Sequence, residues 1–166
     1  MKIIWANCWR KINMNKTLWQ LLLWFRAPVV MFAGCFVWLG AVLFGHIEKH
    51  YWDKNMLCLE TYKQWWGGFS CGWVKVVNKN PDTHLLAHES GHQVQLAFLG
   101  DLWILVVGIP SMIRYQLIGK HPEKYKTYDY AWFEGTASQI GHELYLKDYN
   151  YEWLRIRRQW DEEHKR

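Results

Sequence analysis

The chain predicts a mainly α fold, α+β through one small strand or hairpin, with a membrane helix near the N-terminus. Three stretches carry this. Ala27–Gly45, APVVMFAGCFVWLGAVLFG, is 19 residues without a charge. Trp65–Asn80, WWGGFSCGWVKVVNKN, sets glycines among near-alternating β-branched residues. Leu85–Gln95, LLAHESGHQVQ, lies between a capping cluster, Asn80-Pro81-Asp82, and a stop at Gly100. With 166 residues the chain is one domain by default and long enough to bury a core.

In chain order, residues 1–17 carry Lys2, Arg10, Lys11 and Lys16, and no acid. By the positive-inside rule this places the N-terminus in the cytoplasm. Met14 is an alternative start. Residues 18–45 form the expected anchor: LWQLLLWF approaches along the interface, Pro28 kinks the chain, and Ala27–Gly45 is about long enough to span a bilayer core. A signal peptide is the rival reading, but no small-residue cleavage site follows the run. Lys49–Gln64 reads as weakly helical, and Trp65–Asn80 as a strand or hairpin. Proline after a capping residue opens a helix over 81–99 that Gly100 ends. Leu102–Ile113, LWILVVGIPSMI, is 12 uncharged residues, too short for a straight span and broken by Gly108 and Pro110. It is expected as a re-entrant, interfacial or buried segment. A polar loop over 115–128, a helix over 130–146 and a charged helical tail over 149–166 complete the chain. The domain proper is thus 46–166.

The 13 tryptophans and a net charge of +5 suit an anionic lipid surface. A mean hydropathy of −0.25 argues against a chain made mostly of spans. No nucleic-acid motif occurs, so the expected partners are a lipid bilayer and a peptide or protein substrate. The cysteines, Cys8, Cys35, Cys58 and Cys71, form no CxxC, and spacing alone cannot establish a Cys58–Cys71 disulfide.

Chemistry concentrates in HESGH, His88–His92. On a helix these histidines lie about 40° apart around the axis and about 6 Å along it, so both imidazoles reach one ion. Glu89 falls beside the metal, where it can take a proton from water. A catalytic zinc wants three protein ligands and an open position. The candidate third is Glu134, in AWFEGTASQIG on a separate helix, with Gly135 and Ala137 small enough for close packing. His84 is too far along the helix to share the ion with His92. HIEKH, His46–His50, has Lys49 where an inverted motif needs Glu. His142 borders the site or is structural.

HESGH followed by a distant Glu on a second helix resembles the gluzincin branch of zinc metallopeptidases. GGFSCG, HESGHQVQLAFLG, VVGIPSMI and the Glu helix, in that order over about 67–146, are similar to small bacterial membrane-associated HExxH proteins. The resemblance implies a zincin-like two-helix metal site with Zn2+ on His88, His92 and Glu134. It implies a metalloendopeptidase-like hydrolase at the bacterial inner membrane, which cleaves peptide bonds by zinc-activated water with Glu89 as general base. Ser138 stands where an acidic partner often sits, four after Glu134. Ser138, His142 and Tyr130 are the candidate supporting residues, and Tyr128, Tyr130 and His142 the candidate oxyanion donors. The alternatives are a non-catalytic zinc-binding membrane scaffold, an intramembrane zinc protease and a membrane di-iron oxygenase. Against the second, Asp82 precedes HESGH and caps it; against the third, no HxxHH occurs.

Overall fold

The structure, a computed structural model, describes residues 15–44, 47–62, 67–119, 128–148 and 150–163. Cys8, Met14 and His46 lie outside the described residues, as do most of the expected cytoplasmic segment and most of the expected polar loop. The chain is mainly helical with one small mixed sheet, as an α+β reading requires.

Helices α1 (Lys16–Arg26) and α2 (Pro28–Leu43) meet at 113°. Pro28 disfavours helical backbone at the residue before it, and Ala27 leaves the helical region at φ −140°. The stretch expected as an anchor is therefore two helices and not one. Among the described residues no single helix is long and apolar enough to cross a membrane, and α2, at 16 residues or about 24 Å, falls short of a hydrocarbon core of about 30 Å. Two bent pairs pass by length and composition: α1 with α2, and Thr83–Leu102 with Ile104–Leu117.

The sheet runs β1 (Ile47–Asp53), β2 (Met56–Thr61), β4 (Val74–Val77), β3 (Gly68–Cys71) from edge to edge. β1–β2 and β3–β4 are antiparallel and β2–β4 is parallel. The β3–β4 hairpin was expected. The β1–β2 hairpin replaces the expected helix over 49–64. It turns through Lys54 at φ 54°, a left-handed position that glycine or asparagine usually marks. Cys35, Cys58 and Cys71 are free thiols.

Helix α3 (Thr83–Leu99) carries HESGH. Asp82 caps it, its carboxylate accepting the Leu85 N–H at 2.7 Å, and Gly100 ends it at φ +58°. A π-helical turn, Ile104–Gly108, leads into α4 (Ile109–Gly119). Gly108 and Pro110 do not break this segment as expected. The wider π-helical turn before Pro110 accommodates the residue that cannot donate, and α4 covers the start of the expected loop. Helix α5 (Trp132–Gly141) continues into a second π-helical turn, His142–Leu146, and α6 (Trp153–Glu163) closes the chain.

One core joins the N-terminal helices to the rest: Trp19, Leu23, Ala27, Val30 and Met31 pack with Val94, Leu96, Trp103 and Val107. The Trp19 indole N–H donates to Gln93 Oε1 at 2.8 Å, and Val30 N–H to Asp101 Oδ1 at 3.1 Å. The other faces stay open. Phe25, Phe36 and Phe44 on the N-terminal side are largely exposed, as are Leu105, Met112 and Leu117 around α4. Beneath α3 the fully buried Lys75 of β4 pairs with Asp53 and donates to Leu86 O at 3.2 Å and Ser90 Oγ at 3.0 Å, which fixes the helix over the sheet.

Candidate metal centre

Helices α3 and α5 press together backbone to backbone. A Cβ on Gly91 would lie 2.0 Å from Ala137 O, and one on Gly141 would lie 2.1 Å from Ala87 O. The small residues inside and after HESGH thus let the two helices approach until side chains from both reach one point. Ala137 serves this contact as its size suggested. Gly135 faces elsewhere, against Asp129 O and the Trp153 ring.

At that point His88 Nε2 and His92 Nε2 lie 3.2 and 3.1 Å from the same oxygen, Glu134 Oε2. All three residues are buried, and one ligand atom from each lies within 4.8 Å of the others, close enough to hold a metal ion. Glu134 sits in the first turn of α5, where the helix dipole favours a negative charge.

The hydrogen bonds behind the ring assign the tautomers. Gln95 Nε2 donates to Phe133 O at 2.7 Å and Thr136 Oγ1 at 2.8 Å, so Gln95 Oε1 is the acceptor for His92 Nδ1–H at 2.8 Å. Ser138 Oγ donates to Asp129 Oδ2 at 3.0 Å, so it accepts from His88 Nδ1–H at 2.7 Å. Both Nε2 lone pairs therefore point at a carboxylate oxygen. Three converging electron pairs need a cation among them. In the metal-free chain a proton serves: burial pulls His92 down, but Glu134 outweighs it and holds the imidazole at about 9. Burial likewise pushes Glu134 up, and the bonds to His88 and His92 hold it well below the usual carboxylate range. Two neutral imidazoles and one carboxylate, each imidazole anchored by its far nitrogen, are a donor set that fits a divalent transition metal.

Two supporting residues escaped the sequence reading. Asp129 supplies, through Ser138, the acid that position 138 itself lacks. It comes from a turn before α5, where no periodicity marks it. Burial pushes the Asp129 carboxyl up, but His84 and His88 hold it below the usual range. Gln95 was findable, since it lies three after His92 on the same helix face.

Glu89 is buried, and its Oε2 has no hydrogen-bond partner among the described residues. It lies where two cavities meet. One, of about 450 Å³, is apolar, lined by Phe69, Val76, Trp103, Met112 and Tyr115, with Glu89 and His92 in its wall. The other, about 460 Å³, is polar and lined by Asp82, His84, His88, Glu89 and Asp129. Gly68 on the β3 edge keeps this junction open, since a Cβ there would stand 3.3 Å from Glu89 Oε1. Tyr128 lines both cavities and approaches Ser111 Oγ at 3.2 Å; burial keeps its hydroxyl protonated well above neutral pH. Tyr130 instead packs on Trp160, and His142 pairs with His84 outside the metal cluster.

The chain matches no protein-family model, no curated protein and no solved structure.

Proposed function

We propose that the chain is a membrane-associated zinc-dependent metallopeptidase that hydrolyses peptide bonds with Glu89 as general base. The observation that carries this is Glu89 itself. A buried carboxylate with an unpartnered oxygen is costly to keep, and such a cost is typical of a group held for chemistry. This one stands beside three converging ligand atoms, at the junction of two cavities. When bound, zinc would polarise the scissile carbonyl and acidify water. Glu89 takes the proton and passes it to the leaving amine. Tyr128, held protonated by burial, donates to the developing oxyanion. The apolar cavity takes an apolar part of the substrate, and the polar cleft takes the chain on the other side of the cut. The Asp129–Ser138 pair orients His88, and the two cavities that open beside His88, Glu89 and His92 favour this reading over a structural zinc scaffold, whose coordination is closed. The exposed apolar faces around α1, α2 and α4 support a lipid bilayer as partner.

The test compares two substitutions. Glu89→Gln should keep about one zinc per chain and lose about 10²- to 10⁴-fold of its activity on a quenched-fluorescent peptide library in lipid micelles. Glu134→Gln should lose the zinc, because an amide is a poorer, uncharged donor. Equal zinc loss in both, or stoichiometric iron in the purified protein, refutes the proposal.

A further inference from the structure

The polar cleft holds a second pair of imidazoles that the metal centre does not use. His84, in the first turn of α3, and His142, the first residue of the π-helical turn after α5, bring Nδ1 and Nε2 respectively to 2.9 Å of each other. A carboxylate faces the outer nitrogen of each. His142 Nδ1 lies 3.2 Å from Asp148 Oδ2, and His84 Nε2 lies 3.6 Å from Asp129 Oδ2. The backbone builds this arrangement: the π-helical turn and the left-handed Lys147 fold Asp148 back, so that its N–H donates to His142 O at 3.0 Å. Tyr151 stacks on His142 at 3.8 Å and 13°, which fixes the plane of the ring.

We infer that His84 and His142 form a second transition-metal site, separate from His88, His92 and Glu134, on the wall of the polar cleft. His142 Nδ1–H donates to Asp148, so His142 Nε2 offers its lone pair, and in the metal-free chain His84 Nδ1–H donates to it. A metal ion takes the place of that proton once His84 carries its own on Nε2, the nitrogen that faces Asp129. Two imidazoles with water on the remaining positions suit Ni2+ or Cu2+, which nitrogen ligands hold more tightly than the earlier divalent ions of the first row. The His84 side chain is 45% exposed, which gives the ion entry and leaves room for water on its remaining positions. Asp129 serves both sites, since its Oδ2 also receives the Ser138 hydroxyl that supports His88. Filling the second site therefore stiffens the support of the first.

The full chain, loaded with one equivalent of zinc, is titrated with Ni2+ by calorimetry. One equivalent of Ni2+ should bind, at least tenfold more weakly in His84→Gln and in His142→Gln, with the zinc retained in both. The retained zinc reports the fold in the same sample. The titration is repeated on Glu134→Gln, so that failure of the first site leaves the second readable. Absence of Ni2+ binding in the unsubstituted chain, or a loss under tenfold in either histidine variant, overturns the inference. Loss of zinc from both histidine variants overturns it too, by making the pair part of the first site.

Discussion

Gly91→Ala should disable the metal centre without touching a ligand. The added Cβ would lie 2.0 Å from Ala137 O, and no real Cβ approaches closer than 3.0 Å. The helices must therefore part by at least 1.0 Å at this contact. A backbone oxygen in mid-helix cannot rotate away, so the strain falls on the crossing of α3 and α5. Glu134 sits one turn before Ala137, and His92 is next to Gly91. A shift of that size is about five times the tolerance of a metal–ligand distance, about 0.2 Å. We expect zinc content to fall well below one per chain. Overpacking of this kind typically costs about 1–3 kcal/mol, and backbone contact places it at the upper end. The control is Gly40→Ala on α2, which meets nothing within 4 Å and should be neutral or gain about 0.5–1 kcal/mol of helix stability. The assays are metal analysis and thermal unfolding in matched detergent. Full zinc and an unchanged melting temperature in Gly91→Ala would refute the close-packing argument.

Other outcomes follow from the same geometry. Gln95→Ala removes the acceptor of His92 Nδ1–H and should weaken metal affinity about 10- to 100-fold, read by competition with a chelating dye. In the metal-free chain, Glu134 holds His92 above its ordinary 6.5, at about 9. That stabilisation is complete below pH 6.5 and is lost as pH rises through about 9, so the melting temperature of the apo chain should fall across this window. Metal competes for the same nitrogen, so its affinity should rise over the window, measured by titration at three pH values. Deletion of Lys16–Leu43 should give no released, folded domain, because Trp19, Leu23 and Met31 belong to the common core; a cooperative melt of the truncated chain would contradict this.

What the sequence makes legible is what local geometry decides. The four-residue spacing of His88 and His92, the Asp82 cap and the Gly100 stop all lie on one helix, and α3 forms as they require. Glu134 was recognisable because its flanking apolar and small residues ask for a facing helix. Asp129 was not, since a turn residue gains its role only from the fold that brings it to Ser138. The β1–β2 hairpin hid because its turn uses Lys54 where a glycine would have announced it. The apolar run over 27–45 suggested a span because composition does not show that Val30, Met31 and Gly34 face protein while Phe32, Phe36 and Leu43 face outward.

The bond from Trp19 to Gln93 joins residues 74 apart in the chain. At about 5–20 residues per second, the ribosome needs about 4–15 s to make the partner after the tryptophan. Throughout that interval the faces of α1 and α2 destined for α3 wait for the helix they pack on. Apolar surface left exposed in this way is prone to aggregation. The order of synthesis thus makes the N-terminal helices depend on the metal helix, which must arrive before the common core can close.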